Sequence, residues 1–249
     1  MLLALILRGV AFEFRSKQPS LAWRQWWDRA IFFGSALPAL LWGVALANLV
    51  RGVPIDASMT FTGDLLTLLN PYGLLGGLVS VAVFLLHGSI FMALLTSGAI
   101  RQRAEAFTKR VGPVTTILVV ALVIFTYFDT DILTAQGVVP PLTAVGAGLA
   151  LLGTGWLVNH GRYGWAFVST GLLIALTTIT AFNGLFPRVM ISTTNPDYSL
   201  TIYNASSSDY TLQVMTVVAL VLVPIVLIYQ GWTYWVFRNR ITSDTKLEY

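Results

Sequence analysis

The sequence predicts an all-α fold: a polytopic membrane helix bundle with six complete transmembrane helices, one shorter N-terminal helix and a cytoplasmic C-terminus. Of the 249 residues, 56% are hydrophobic and only 10% are charged, whereas soluble domains carry about 25% charged residues. The apolar residues fall into seven stretches, and the short segments between them hold most of the charge. These observations place residues 1–249 in a single membrane domain.

The length of each stretch decides whether it can cross a membrane. A helix rises about 1.5 Å per residue and needs about 20 apolar residues to cross roughly 30 Å of hydrocarbon. The first stretch has only 14 residues and carries two charges, so it is too short to span. The polar segment 187–210 is predicted to form a loop on the outer face. The predicted helices lie near 1–14, 30–50, 72–99, 112–128, 141–158, 163–186 and 211–237.

The basic residues predict the orientation of the bundle, because Lys and Arg collect on the cytoplasmic side of membrane proteins. Two of them, Arg51 and Arg188, lie in the second and sixth connecting segments, and the fourth segment has none. Twelve lie in the first, third and fifth segments and in the C-terminal tail, which are therefore predicted to be inside: Arg15, Lys17, Arg24, Arg29, Arg101, Arg103, Lys109, Arg110, Arg162, Arg238, Arg240 and Lys246. The net charge of +4 thus reflects membrane topology, and nucleic-acid binding is the weaker interpretation.

Two pairs of small residues predict where helices approach one another closely. Gly73 and Gly77, and Gly171 and Ala175, have the small-xxx-small spacing that lets helix backbones come together. Such pairs belong to the scaffold and indicate no chemistry.

Charged or titratable groups inside the apolar stretches are the candidate functional residues, because a charge within a membrane costs roughly 2.5–3.5 kcal/mol on insertion scales. Arg8 either extends its long side chain to the membrane surface or takes part in a buried ion pair or a proton path. Glu13 is either an interfacial charge beside Arg15 and Lys17 or a partner-contact residue. Arg8 and Glu13 are about 140° apart around a helix, so each is expected to find its partner on another helix or subunit.

His87 is the third candidate, and it lies in the cytoplasmic half of its predicted helix. A lone histidine there can ligate haem, relay protons or form a hydrogen bond to a neighbouring helix, and the last interpretation is favoured. The sequence has no cysteine, only two histidines, and no GxxxxGK[ST], HExxH or GxSxG motif. It therefore assigns no catalytic, metal-binding or cofactor-binding residue to this chain.

Five stretches carry a family signature: "LILRGVAFEFRSK", "WDRAIFFGSALPALLWGVALANLVRGVP", "LLHGSIFMALLTSGAIRQRA", "GLFPRVMIS" and "YQGWTYWVFRNRI". In order and nearly from end to end, they resemble subunit II of the cytochrome bd quinol oxidases. The most specific elements are "LRGVAFEFR" and the GSxxPA pattern of Gly34, Ser35, Pro38 and Ala39.

The resemblance implies the non-haem-ligating subunit II of a cytochrome bd-type terminal oxidase in the bacterial cell membrane. This subunit supports quinol oxidation coupled to the reduction of dioxygen to water in the respiratory chain. Haem b and haem d are expected in the partner, subunit I, and none in this chain; a bound quinone and a small third subunit stay open. The resemblance also implies that the chain begins inside the third membrane helix of the family pattern, and that Arg8 lies near the subunit interface or a proton path.

Two other interpretations remain open at this point. A polytopic secondary transporter would show inverted repeats and interrupted helices with polar groups at the membrane midplane, and no convincing repeat is visible. A non-functional fragment of the oxidase subunit would be unstable unless a partner covered its first helix.

Overall fold

The computed structural model describes residues 1–133 and 142–238, which form an all-α membrane helix bundle with very little sheet. The elements are α1 (Leu2–Phe14), α2 (Leu21–Arg51), α3 (Leu65–Leu68), α4 (Pro71–Leu95), α5 (Gly98–Asp129), α6 (Leu142–Asn159), α7 (Tyr163–Leu185), β1 (Arg188–Met190), β2 (Leu200–Thr201) and α8 (Asp209–Val236). Six helices in this part of the chain are long and apolar enough to cross a membrane: α2, α4, α5, α6, α7 and α8.

Two helices extend well beyond the apolar stretches that predicted them. Helix α2 begins at Leu21 rather than near 30, and α5 begins at Gly98, so the predicted connecting segment 100–111 is wrong and is helical instead. The segment has three Arg, two Ala, one Glu, one Lys and one Gln, all strong helix formers, and Arg101 pairs with Glu105 one turn later at 2.7 Å. Hydropathy marks the lipid boundary, whereas a helix continues as long as its backbone propensity allows.

Helix α4 is central: it packs against α2, α5 and α7. The contact with α2 depends on glycine, because a Cβ added to Gly43 would lie 2.8 Å from the Cα of Gly77, and one added to Gly73 would lie 2.8 Å from Nδ2 of Asn48. The predicted close approach at Gly73 and Gly77 is therefore confirmed. The prediction for Gly171 is wrong, since a Cβ there would meet nothing within 4 Å.

Buried threonines supply much of the polar content of the bundle interior. Thr108, Thr115, Thr154 and Thr170 are all nearly inaccessible. Each donates its hydroxyl to the carbonyl oxygen four residues earlier, at 2.8–3.1 Å. A threonine can lie in an apolar interior because its own helix provides an acceptor for its hydroxyl.

Ion pairs show which connecting segments share an end of the bundle. Arg51 pairs with Asp129 at 2.9 Å, and Arg188 pairs with Asp131 at the same distance, so these residues lie together at what we name the outer end. Ser192 in the segment after β1 donates to the carbonyl oxygen of Ile55 at 3.0 Å, which docks the predicted outer loop 187–210 onto the segment after α2. The predicted loop thus contains a two-stranded antiparallel sheet, β1–β2.

The opposite end, which we name the inner end, carries the basic segments. Arg15 at the end of α1 pairs with Asp28 of α2, and the turn between α6 and α7 lies beside Arg101 at the start of α5. The cytoplasmic location of this end stays a prediction from the charge count. The last two basic residues of that count, Arg240 and Lys246, and the start of the predicted helix near 141–158 lie outside the described residues.

Candidate functional site

Arg8 lies on an exposed face of α1, with its base against α2. A Cβ added to Gly34 would lie 2.8 Å from the Cβ of Arg8, so the helices touch at this position. The guanidinium carbon lies 5.7 Å from the centre of the Phe12 ring, and the group forms no ion pair with any residue that the structure describes. Arg8 therefore packs its stem inside the chain and presents its charge outward.

Glu13 has a partner on its own chain, which corrects the expectation that its partner comes from another helix or subunit. Its carboxylate lies 3.5 Å from Nζ of Lys17, four residues later, and its side chain is 74% exposed. Pairs with this spacing on exposed surfaces contribute about 0.5 kcal/mol or less. The geometry is that of an interfacial charge at the inner end.

His87 of α4 faces α7. Its Nδ1 lies 2.7 Å from Oγ1 of Thr170, and its ring stacks on Phe167 with centroids 4.4 Å apart. Thr170 also donates to backbone carbonyls of its own helix, so its hydroxyl is shared between the two helices. One nitrogen and one face of the imidazole are thus occupied by protein groups, as expected for a cross-helix polar contact.

The structure does not bring the three candidates together into one site. Arg8 and Glu13 lie on α1, which packs against α2, whereas His87 lies at the contact between α4 and α7. Among the described residues, no group of three or more His, Cys, Asp or Glu is placed to hold a metal ion. His160, the second histidine, contacts the carbonyl oxygen of Trp156 through Nδ1 at 2.8 Å. The described residues therefore provide no cluster of three or more such ligands for a metal ion.

An asparagine pair at the outer end was missed by the sequence reasoning. Asn48 is 5% exposed, and its Nδ2 donates to the carbonyl oxygens of Val44 and Leu68, each at 2.8 Å. Asn70 donates to Oδ1 of Asn48 at 2.8 Å. The signal was available: Asn48 is a lone amide in the apolar run "VALANLV". The amides tie α2 to the beginning of α4, so the pair is structural.

Two helices leave large apolar surfaces uncovered. None of the 28 residues of α8 is buried against the rest of the described chain, and in α1 only Ala11 is buried. Near the inner end, the ring of Tyr234 in α8 lies 6.5 Å from that of Phe91 in α4, edge to face. These two helices are the obvious surfaces for contacts with another protein or with lipid.

Comparison with known proteins finds one family and consistent relatives. The sequence profile of "Cytochrome bd terminal oxidase subunit II" matches residues 1–237. The chain is 38% identical over 248 residues to cytochrome bd ubiquinol oxidase subunit 2 of Bacillus subtilis (strain 168), covering 100% of this chain and 73% of the relative. It is 34% identical over 277 residues to cytochrome bd-I ubiquinol oxidase subunit 2 of Escherichia coli (strain K12), covering 98% and 73%.

A solved structure has a similar fold. The bd oxidase from Geobacillus thermodenitrificans superposes with a TM-score of 0.69 and 18% sequence identity, over 94% of this chain and 72% of that one. At this identity the superposition supports the helical architecture alone. The family profile and the two relatives carry the functional comparison.

Proposed function

Because the chain belongs to the cytochrome bd terminal oxidase subunit II family, we propose that it acts as the subunit without haem, which scaffolds the haem-bearing partner through α1. The chain is a multi-pass membrane subunit of a respiratory terminal oxidase and works in a complex with a partner subunit. This assignment replaces the transporter alternative. The proposal concerns which surface of this chain meets the partner and which residues matter there.

The position of Arg8 is the observation that carries the proposal. A guanidinium on the exposed face of an apolar helix is costly in lipid unless it reaches a counter-charge or the membrane surface. Arg8 has no ion-pair partner within the described ranges, and its guanidinium carbon lies 5.7 Å from the centre of the apolar ring of Phe12. A carboxylate or backbone carbonyl of the haem-bearing subunit would supply the missing partner. In this proposal Arg8 therefore lies at the subunit interface.

Glu13 and His87 have supporting roles in the proposal. Glu13, paired with Lys17, helps to fix the end of α1 at the membrane surface. His87 holds α4 against α7 through Thr170. Haem b and haem d, when bound in the partner subunit, supply the electron transfer from quinol to dioxygen. The residues of this chain hold the helices that support that subunit.

Co-purification tests the proposal. The chain is tagged and extracted in mild detergent, and the absorption spectrum of the isolated material is recorded. We expect the preparation to contain a second subunit of equal or larger size, and the intensity of the haem bands to be proportional to the amount of that subunit. The same preparation after dissociation should leave haem with the partner and none with this chain. A complex without haem absorption, or haem that stays with this chain, would contradict the proposal.

A further inference from the structure

A cleft opens at the inner end, between the turn that joins α4 to α5 and the turn that joins α6 to α7. Its volume is about 270 Å³, and it is open on one side. None of Arg8, His87 and Thr170 lines the cleft. The lining residues come from the end of α4, the start of α5 and the start of α7: Ala93, Leu94, Arg101, Arg162, Tyr163 and Trp165.

Tyr163 is a buried polar side chain without a protein partner. The residue is only 5% exposed, yet its hydroxyl makes no hydrogen bond to any described residue. Tyr163 lines the cleft, and its hydroxyl is not fully enclosed by protein. It also lies within electrostatic reach of Arg101 and Glu105. A hydroxyl without a protein partner at the wall of a cleft is free to bond to a ligand there.

The start of α7 adds unpaired donors to the same cleft. Arg162 occupies the N-cap position and provides no side-chain cap, and the first amide with a helical partner is that of Ala166, which donates to the carbonyl oxygen of Arg162 at 3.0 Å. The amides of Tyr163, Gly164 and Trp165 have no acceptor within the described ranges. Such amides, together with the helix dipole, favour an anion.

The charge balance of the cleft is positive. Arg101 is paired with Glu105 at 2.7 Å. Arg162 has no ion pair with a described residue, and its guanidinium carbon lies 6.0 Å from the centre of the Trp156 ring. Two arginines and no acidic residue line the cleft, and Arg162 has no carboxylate partner among the described residues.

The location favours a lipid as the source of the anion. The cleft lies at the ends of spanning helices, where lipid headgroups are found, and Trp165 on its rim is 68% exposed, as is usual for aromatic residues at a membrane interface. The inner end is the predicted cytoplasmic side, whose leaflet is negatively charged, and basic pockets between helices on that side bind anionic headgroups. We propose that this cleft binds the phosphate of an anionic phospholipid through Arg162, the Tyr163 hydroxyl and the first amides of α7.

Two variants and a matched control test the proposal in the complete complex. Tyr163→Phe removes only the hydroxyl, which has no protein partner, so the variant should fold normally. Arg162→Gln removes the unpaired charge. Arg24→Gln removes an exposed basic residue of the same end, on α2 and away from the cleft. Each complex is titrated with phosphatidylglycerol and with phosphatidylcholine, and bound lipid is counted by native mass spectrometry.

We expect the unmodified complex to bind phosphatidylglycerol more tightly than phosphatidylcholine. Loss of a hydrogen bond to a charged group in Tyr163→Phe should weaken phosphatidylglycerol binding by about tenfold. Loss of one surface charge in Arg162→Gln should weaken it by about fivefold. Arg24→Gln should bind as the unmodified complex does, and the thermal midpoint of lipid-free Tyr163→Phe should not change.

Three results would overturn the proposal. They are equal affinity of all four complexes for phosphatidylglycerol, equal affinity of the unmodified complex for both lipids, and displacement of the lipid by millimolar inorganic phosphate, which would indicate a site for free phosphate. Lipid is counted by mass and not by oxygen consumption. A failure here is therefore distinguishable from a failure of the proposed scaffolding function.

Discussion

Nδ1 of His87 and Oγ1 of Thr170 lie 2.7 Å apart and join α4 to α7 inside the bundle. The two residues are 83 positions apart in the sequence, and the stacked ring of Phe167 shields the contact. A polar contact of this kind is typical of membrane helix packing, where hydrogen bonds between helices contribute about 0.6 kcal/mol on average and up to about 1.7.

The first prediction concerns this pair. Thr170→Val should lower the free energy of unfolding by about 1 kcal/mol, because Nδ1 of His87 loses its partner in an apolar surrounding. His87→Phe in the complex should leave the haem absorption spectrum unchanged, because we assign His87 no ligand role. The double variant should cost less than the sum of the two single variants. Loss of a haem band in His87→Phe would refute the assignment.

The second prediction concerns Arg8. Arg8→Leu should reduce the amount of haem-bearing subunit that co-purifies with the tagged chain, and with it the oxygen consumption of membranes, because the partner's counter-charge is left unpaired. Arg8→Lys keeps the charge and should retain part of the assembly. The matched control is Arg24→Gln, which removes an exposed basic residue of α2. If Arg8→Leu leaves both assembly and oxygen consumption unchanged, Arg8 reaches the membrane surface by itself and the interface proposal is wrong.

The third prediction uses the glycine contact between α2 and α4. Gly43→Ala should destabilise the bundle by about 1–3 kcal/mol, because the added Cβ would lie 2.8 Å from Cα of Gly77, which is backbone and cannot turn aside. Gly171→Ala is the control, since the added Cβ meets nothing within 4 Å. It should be neutral or stabilise the helix by up to about 1 kcal/mol. Thermal unfolding in detergent measures both, and equal effects of the two substitutions would contradict the packing argument.

The fourth prediction is a pH dependence at the outer end. The Thr67 hydroxyl donates to Asp64 at 2.7 Å and, with the Thr67 amide at 2.8 Å, lowers the pKa of this exposed carboxyl below its usual 3.8. A lowered pKa means that the cap stabilises α3 fully above about pH 3.8 and loses that effect as the pH falls through the lowered value. Asp64→Ala should therefore reduce hydrogen-exchange protection of the Thr67 amide, which donates to Asp64, at neutral pH. In acid, the protection factors of the variant and the unmodified chain should converge, and a difference that persists there would contradict this cause.

Several helix ends show how much of the fold could be predicted. The apolar stretches located all six helices of the described residues that are long and apolar enough to span, since the lipid boundary depends on local hydropathy. The first residues of α2 and α5 could not be found in the same way. These helices begin at Leu21 and Gly98, in charged segments that hydropathy does not mark but whose arginines are good helix formers. Membrane helices are also apolar on all sides, so no amphipathic stripe indicates which face meets a neighbour.

For the candidate residues, too, the sequence revealed the residues themselves but not most of their contacts. The sequence identified Arg8, Glu13 and His87 as unusual, because a charge or a polar ring in an apolar run is visible without any structure. For Glu13 it placed Lys17 nearby in one of two interpretations, but it did not identify Thr170 as the partner of His87 or an outward face for Arg8. It also gave no indication of the cleft beside Tyr163, whose lining comes from three helices.

By itself, the sequence determined that this chain crosses a membrane several times, which segments do so and where its few charges lie. It could do so because transfer free energies add up residue by residue along the chain. Only the tertiary structure decided that α4 occupies the centre, that Gly43 faces Gly77, that His87 meets Thr170 and that Tyr163 lines a cleft with Arg101 and Arg162. Each of these facts joins residues far apart in the sequence, and their meeting depends on how the helices are rotated and tilted against one another.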